Sequence, residues 1–324
     1  MEFIHSVLAQ DIPVLLAVPN TYDLPVNPLS HTLLTVSYVR TAAATNVLPL
    51  ITNTISQVAK IEVLYKGSAI FSMSGWDAVA AGLYIAAFES WGVNMAGVIA
   101  EECSFTWCIP HGRILYNPAE CFPKSTRGEL TLQVTFVVAG TDVTSAIQQI
   151  ETVELPEAAP TQFLKMTTLS VSIPATGIID VPLPIGNPIS DLVLWGATIP
   201  LGAATDRTLH QLQVLVNNKM SHYGLTNYET HHNMAGRMRA APGYWGSHTH
   251  YTTTATISPA PWPSNHLLSC YSHLPFDIFK DGAFALQTEG KSDVVLRINT
   301  RFAVAAISTA RVIPCEIVPV SGLW

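Results

Sequence analysis

Residues along most of this chain alternate between apolar and polar. Leu130, Leu132, Val134 and Phe136 face one way, and Thr131, Gln133 and Thr135 the other. That is the period of a half-buried strand. Runs of the same style, rich in β-branched residues, predict strands at 31–39, 51–64 and 69–73 in the first half. The second half predicts them at 169–173, 177–181, 192–195, 209–216, 250–257, 294–302 and 311–318. A short apolar run at 14–18, closed by Pro19-Asn20, reads as one more. Pro residues punctuate between the runs, as expected of loops and edge strands. A different period appears once. Trp76, Ala78, Val79, Leu83, Tyr84, Ala87, Phe88 and Trp91 recur at three- and four-residue spacing, which predicts a helix opened by Ser74-Gly75 and stopped at Gly92.

Two distant stretches share one layout. Ile61-Glu62-Val63-Leu64-Tyr65 runs to a turn at Lys66-Gly67, and Leu212-Gln213-Val214-Leu215-Val216 runs to a turn at Asn217-Asn218. Ahead of them, the segment 32–37 echoes 167–172. Behind them, Ile109-Pro110 and the strand 129–134 echo Leu274-Pro275 and the strand 293–298. The offset between the copies grows from 135 through 151 to about 164, as a duplicated domain with longer loops in its second copy would give. The acidic, Pro-containing segment 151–160 reads as the linker, so the expected domains are 1–155 and 156–324. Each half then holds roughly eight short strands, which suits an all-β sandwich or barrel and, with long connections, a jelly roll.

Composition changes the picture in one respect. The chain is 48% apolar but only 12% charged, against roughly 25% in ordinary soluble domains. So little charge implies that much of the exterior is covered by other chains. The net charge of −7 with 16 Lys+Arg, and no basic cluster beyond Arg237 and Arg239, excludes a nucleic-acid footprint. No apolar run is long enough for a transmembrane helix. Residues 1–8 read as a short amphipathic helix with Phe3, Ile4, Val7 and Leu8 on one face, and not as a secretory signal. Five Cys (Cys103, Cys108, Cys121, Cys270, Cys315) match no metal-pair spacing and read as buried thiols of a reducing compartment.

Taken in order, these motifs point to a family. They include the strand 60–67 with its turn, then Ser74-Gly75-Trp76-Asp77 opening the helix. They include Leu274-Pro275-Phe276 with Asp277-Ile278-Phe279, Leu286 and the strand 294–298, matched more loosely by Ile109-Pro110, Phe122-Pro123 and Leu130-Thr131-Leu132. The chain resembles the double jelly-roll major capsid proteins of tailless icosahedral viruses and phages that enclose a membrane. The resemblance implies two tandem eight-stranded jelly-roll barrels with a few short helices. It implies a structural role, not an enzyme: a homotrimer forming pseudo-hexagonal capsomers of the virion shell, made in the host cytoplasm. Neighbouring capsomers and minor capsid proteins are the expected partners, with inner-membrane contact through residues 1–8 and no direct nucleic acid. The second half departs from the pattern, with His231-His232-Asn233-Met234-Ala235-Gly236 where the first has its Ala-rich helix.

Candidate chemistry is sparse. His210, His222, His231, His232, His248, His250, His266 and His273 concentrate in the second half, and His248-Thr249-His250 would put two rings on one side of a strand, as in metal-binding barrels. Glu229 with His231 or His232 would complete such a set only in an atypical order, so polar surface and interface roles are expected instead. Gly-x-Ser-x-Gly is absent, since Phe71-Ser72-Met73-Ser74-Gly75 lacks the first Gly. No Gly-rich phosphate loop is present. The seven Trp are expected as core and interface anchors. No catalytic, cofactor-binding or metal-ligating residue is assigned and no cofactor is expected. The alternative function is a tandem jelly-roll enzyme, an amidase or metal-dependent oxygenase, or a carbohydrate-binding protein.

Overall fold

Alternation translates directly into burial. In the strand Leu130–Phe136 every second residue is buried, and Leu130, Leu132, Val134 and Phe136 all face the interior. The computed structural model describes residues 2–40, 55–88, 90, 92–93, 102–137, 143–173, 176–196, 207–228, 230–231, 271–301 and 308–323. The strand expected at 250–257 and the pair His248 and His250 lie outside these. The described residues divide into two compact units, Met1–Thr167 with Ile317–Trp324, and Thr168–Glu316.

The first unit contains β1 (Ile4–Pro13), β2 (Pro19–Asp23), β3 (Leu29–Arg40), β4 (Val58–Tyr65), β5 (Ser68–Met73), β6 (Gly92–Val93), β7 (Glu102–Pro110), β8 (Leu130–Phe136), β9 (Val143–Glu154) and β10 (Gln162–Thr167). One of its sheets has the order β1-β9-β3-β7-β6; the other runs β5-β4-β8-β2, with β10 parallel at the β5 edge. The second unit contains β11 (Leu169–Ile173), β12 (Thr176–Pro182), β13 (Ile189–Gly196), β14 (Arg207–Val216), β15 (Lys219–Met220), β16 (Thr226–Asn227), β17 (Tyr271–Pro275), β18 (Val294–Arg301) and β19 (Ser308–Pro319). There β11 pairs β19 in a sheet that continues through β13 to β17, and the other sheet runs β12-β18-β14-β15, with β16 also on β14.

The two units are wired alike. Setting aside β6 and β10, the eight strands of the first unit pair as first-eighth-third-sixth and second-seventh-fourth-fifth. The second unit gives the same two orders, with its fifth strand broken into β15 and β16. Single hydrogen bonds repeat as well. Lys66 N donates to Glu129 O, and Asn217 N to Asp293 O, each at 2.8 Å. Leu24 N donates to Leu130 O at 2.9 Å, and Leu183 N to Val294 O at 2.8 Å. Both hairpins turn on two positive-φ residues, Lys66 and Gly67 in one and Asn217 and Asn218 in the other, the twist that a two-residue hairpin requires. Ile61 to Leu64 and Leu212 to Leu215 therefore occupy the same strand of two copies.

Four expectations need correction. The echo between 32–37 and 167–172 joins different strands, because the first lies in β3 and the second reaches β11. Alternating β-branched runs look alike at period two; the true counterpart of β3 is β13, and the offset does not grow steadily. The segment 151–154 is the end of β9 and not a linker. Its acids are hydrogen-bonded, Glu154 accepting from Ser6 Oγ at 2.8 Å and from Asn27 Nδ2 at 2.7 Å. Residues 4–8 form strand β1, paired with β9, where a helix was expected. Residues 14–18 are a connection and not a strand. Asn20 clamps it, accepting from Leu15 N and donating to the carbonyls of Leu15 and Val18.

The predicted helix exists but is shorter. Helix α1 (Gly75–Ala86) starts at Ser74, whose Oγ accepts from Asp77 N at 3.2 Å. It stops at Ala87, in the left-handed region at φ 53°, before the expected Gly92. The N–H groups of Ala87 and Phe88 cap the carbonyls of Leu83 and Gly82, both at 3.1 Å. The helix is buried on nearly every side, which explains its small residues. A Cβ on Gly75 would stand 2.8 Å from the carbonyl oxygens of Ile55 and Val58, so only glycine fits there. In the second unit Tyr228, Thr230 and His231 have helical backbone at the corresponding place in the chain.

Candidate functional site

Each unit has one corner where two loops are laced together, and the sequence builds both corners from the same short motif. Leu24-Pro25-Val26-Asn27-Pro28-Leu29-Ser30 leads into β3, and Leu183-Pro184-Ile185-Gly186-Asn187-Pro188-Ile189-Ser190 into β13. The second carries one extra glycine, with φ 122°. In both copies the Asn amide donates to a carboxylate at the end of the last strand: Asn27 to Glu154 at 2.7 Å, Asn187 to Glu316 at 3.0 Å. The apolar residue after Pro then exchanges backbone bonds with the loop following the sixth strand, Leu29 with Phe122 and Ile189 with Leu286. Ser30 O accepts from His111 N at 3.0 Å, and Ser190 O from Phe276 N at 2.9 Å. Sequence reading missed this repeat because the inserted Gly186 breaks its register; the Asn-Pro-apolar-Ser core was the signal that could have found it.

Each corner holds buried polar groups. In the first, Arg113 and Glu120 form a bidentate pair, 1% and 3% exposed, with Arg113 Nη2 2.7 Å from Glu120 Oε2. Gly112 permits it, since a Cβ there would lie 2.1 Å from Glu120 O. His31 Nδ1 contacts Ser30 Oγ at 3.0 Å and His111 Nε2 contacts Thr32 Oγ1 at 3.3 Å. Burial, reinforced by His5, lowers His31 to about 4; burial, reinforced by His31, lowers His111 to about 3. In the second corner the residue equivalent to His31 is Asp191, whose Oδ1 lies 2.7 Å from Nε2 of His273, both fully buried. These groups fix loops, with charge satisfied internally rather than presented to a substrate.

The described histidines His222, His231 and His273 have separate partners. His222 contacts Ser221 Oγ and Phe284 O, His231 contacts Thr226 Oγ1, and His273 contacts Asp191. His232, His248, His250 and His266 lie outside the described residues. Among the described residues no group of three or more His, Cys, Asp or Glu is placed to hold a metal ion. Cys108, Cys121 and Cys315 are buried cysteines. Burial and the neighbouring Glu120 push Cys121 up to about 12, and burial raises Cys108 further, which keeps both unreactive. Trp107 is a core anchor, its Nε1 donating to Gly75 O at 2.9 Å.

The fold is thus a double jelly roll, all-β with one regular α-helix among the described residues. Solved structures of the same class cover nearly the whole chain. The crystal structure of the STIV MCP superposes with a TM-score of 0.70 at 11% identity, over 99% of this chain and 98% of that one. A chain from the atomic structure of Sulfolobus Turreted Icosahedral Virus gives 0.69 at 12% identity, over 99% and 92%. The major capsid protein from Bacteriophage PM2 gives 0.60 at 11% identity, over 98% of each. No protein-family model matches the chain, and no curated protein matches it. At these identities the likeness is one of fold.

Proposed function

We propose that this chain is a structural major capsid protein, with no catalytic role, that forms the outer shell of an icosahedral virion. The observation that carries the reading is the identical eight-strand order of the two units. A protomer built of two copies presents two pseudo-equivalent bodies, and three such protomers supply the six needed to tile a hexagonal lattice. Full-length likeness to three viral chains supports it, as does a 12% charged fraction that suits broad lateral contacts. The homotrimeric capsomer, its neighbours and minor capsid proteins are the partners in this reading. Inner-membrane contact through the N-terminal segment then rests on Phe3, Ile4 and Val7, which are exposed on or just before β1. The net charge of −7 argues against direct contact with the genome. Synthesis in the host cytoplasm accords with the buried thiols of Cys108 and Cys121.

Light scattering and negative-stain imaging of the purified chain test this. A stable trimer with a hexagonal outline is expected. A monomer at micromolar concentration would overturn it.

A further inference from the structure

The N-terminal strand is a weakly held part of the first unit. β1 lies at the edge of its sheet, paired with β9 on one side. Its register with β9 slips twice, between Val7 and Ala9 and between Ala9 and Ile12. Ala9 is buried, and the other residues of the strand are half-buried or exposed. Little burial and a broken ladder put such a strand at the low end of local stability.

Side chains fasten its first half. His5 Nε2 stands 2.5 Å from Glu151 Oε2, and Ser6 Oγ donates to Glu154 Oε1 at 2.8 Å. Just before the strand, the Phe3 ring meets Tyr116 edge-on at 5.3 Å, and Tyr116 meets His31 edge-on at 5.2 Å. Tyr116 N donates to Ser30 Oγ at 2.7 Å, and the same hydroxyl contacts His31 Nδ1 at 3.0 Å. The sheet register adds a second link, because His5 and His31 both pair with Val153, from opposite sides of β9. His31 is 3% exposed, whereas the His5 side chain is 47% exposed.

The charged groups around His31 leave a proton there without compensation. β1 brings His5, and the loop after β7 brings His111, whose Nε2 contacts Thr32 Oγ1. Glu151 is engaged by His5, and Glu154 by Ser6 and Asn27. Arg113 and Glu120 are bound to each other. A charged His31 therefore meets rings that repel it when they are charged, beside carboxylates already engaged.

We infer that β1 is an acid-released strap: a proton on His31 loosens residues 3–9 from the first unit while the core of that unit stays folded. The reasoning is linkage. With β1 in place, burial and then the charge of His5 push His31 down to about 4. Freeing β1 takes away His5 and the Phe3 ring and opens the Tyr116 side of His31 to water, so the freed form binds the proton more readily. Between the ordinary 6.5 and about 4, falling pH then favours the freed form. At the equivalent position the second unit has Asp191, joined to His273, so the arrangement is the first unit's own. It rests on contacts within that unit and holds whether or not the chain builds a shell.

Hydrogen exchange of the full chain at about pH 7.5 and about pH 4.5, corrected for the intrinsic pH dependence of exchange, tests it. Peptides covering residues 3–9 should lose protection roughly tenfold at the acid pH, while those covering β8 keep theirs. His31→Gln, which takes up no proton, should cut that response to about twofold or less. His5→Gln, at an exposed position, should also reduce it, because the opposing charge is gone. The ratio between the two pH values is read, so a strap that is looser at both does not obscure the result. Should His31→Gln fail to fold, His5→Gln decides. Unchanged protection of residues 3–9 in the wild-type chain would overturn the inference, as would a full response retained in either variant. Loss of protection in β8 together with β1 would do the same, because acid would then be unfolding the unit and not releasing a strap.

Discussion

Falling pH should cost the first unit stability through two buried histidines. His31 and His111 fold as neutral rings, packed against Tyr116 and Phe122. His5, paired with Glu151, adds to the lowering of His31 by charge repulsion. The folded values, about 4 and about 3, lie below the ordinary 6.5. The unfolded chain therefore binds more protons than the folded one between those limits. Stability is full above pH 6.5 and falls as pH drops toward 4 for His31 and toward 3 for His111. The loss is on the order of a few kcal/mol. Denaturant midpoints should be lower at about pH 5 than at neutrality, and His31→Gln with His111→Gln should flatten that slope. Equal slopes in parent and variant would mean the rings do not stay neutral. Core packing gives a second residue-scale expectation. Phe136 is 2% exposed on the inner face of β8, so Phe136→Ala should cost roughly 3–5 kcal/mol in denaturant unfolding. A loss below about 1 kcal/mol would mean the site collapses around the missing ring.

At the scale of elements, what the sequence made legible depended on whether one face of a strand is buried. β8, β14 and β18 each have neighbours on both sides, and their boundaries were read almost correctly, whereas the strand expected at 51–64 starts only at Val58, after a helical turn at 55–57. β1 was not legible. It is an edge strand with mostly exposed side chains, so no burial sharpens its alternation, and Phe3, Ile4, Val7 and Leu8 fall by chance at helical spacing. β9 was missed for the opposite reason. Several of its polar residues are buried, as Gln148 is, whose Nε2 donates to Asn20 Oδ1 at 3.0 Å, so acids and amides that look like a linker are sheet. The laced corners left only the short Asn-Pro-apolar-Ser repeat in the sequence, because their meaning lies in pairings across about a hundred residues, such as Asn187 with Glu316. Helix α1 was found, but its end was placed at Gly92, since an alanine in the left-handed region is an unusual stop. That alanine yields a prediction. Ala87→Gly relieves a backbone strain at φ 53° and should raise stability by about 1 kcal/mol in thermal or denaturant unfolding. A loss instead would show that the methyl group's packing outweighs the strain.

For the whole molecule the scarcity of charge is the property with the widest consequence. Only 12% of residues are charged, and several ion pairs are internal to a unit, such as Arg113 with Glu120 and Arg297 with Asp180. An assembly of such chains has few charges left to hold its subunits together, so apolar contact and hydrogen bonding must carry the proposed trimer. Those forces respond to salt differently from ion pairs. Raising ionic strength from about 0.1 M to about 1 M shortens the screening length from about 10 Å to about 3 Å and removes most attraction between exposed charges. Apolar association survives that change, and excluded salts such as sulfate strengthen it. The trimer should therefore sediment unchanged between low and molar sodium chloride and persist in ammonium sulfate short of precipitation. A mild increase in urea, which weakens apolar burial, should dissociate it more readily than salt does. Dissociation by salt alone would place the contacts on the remaining surface charges and remove the physical link between this composition and a shell-forming role.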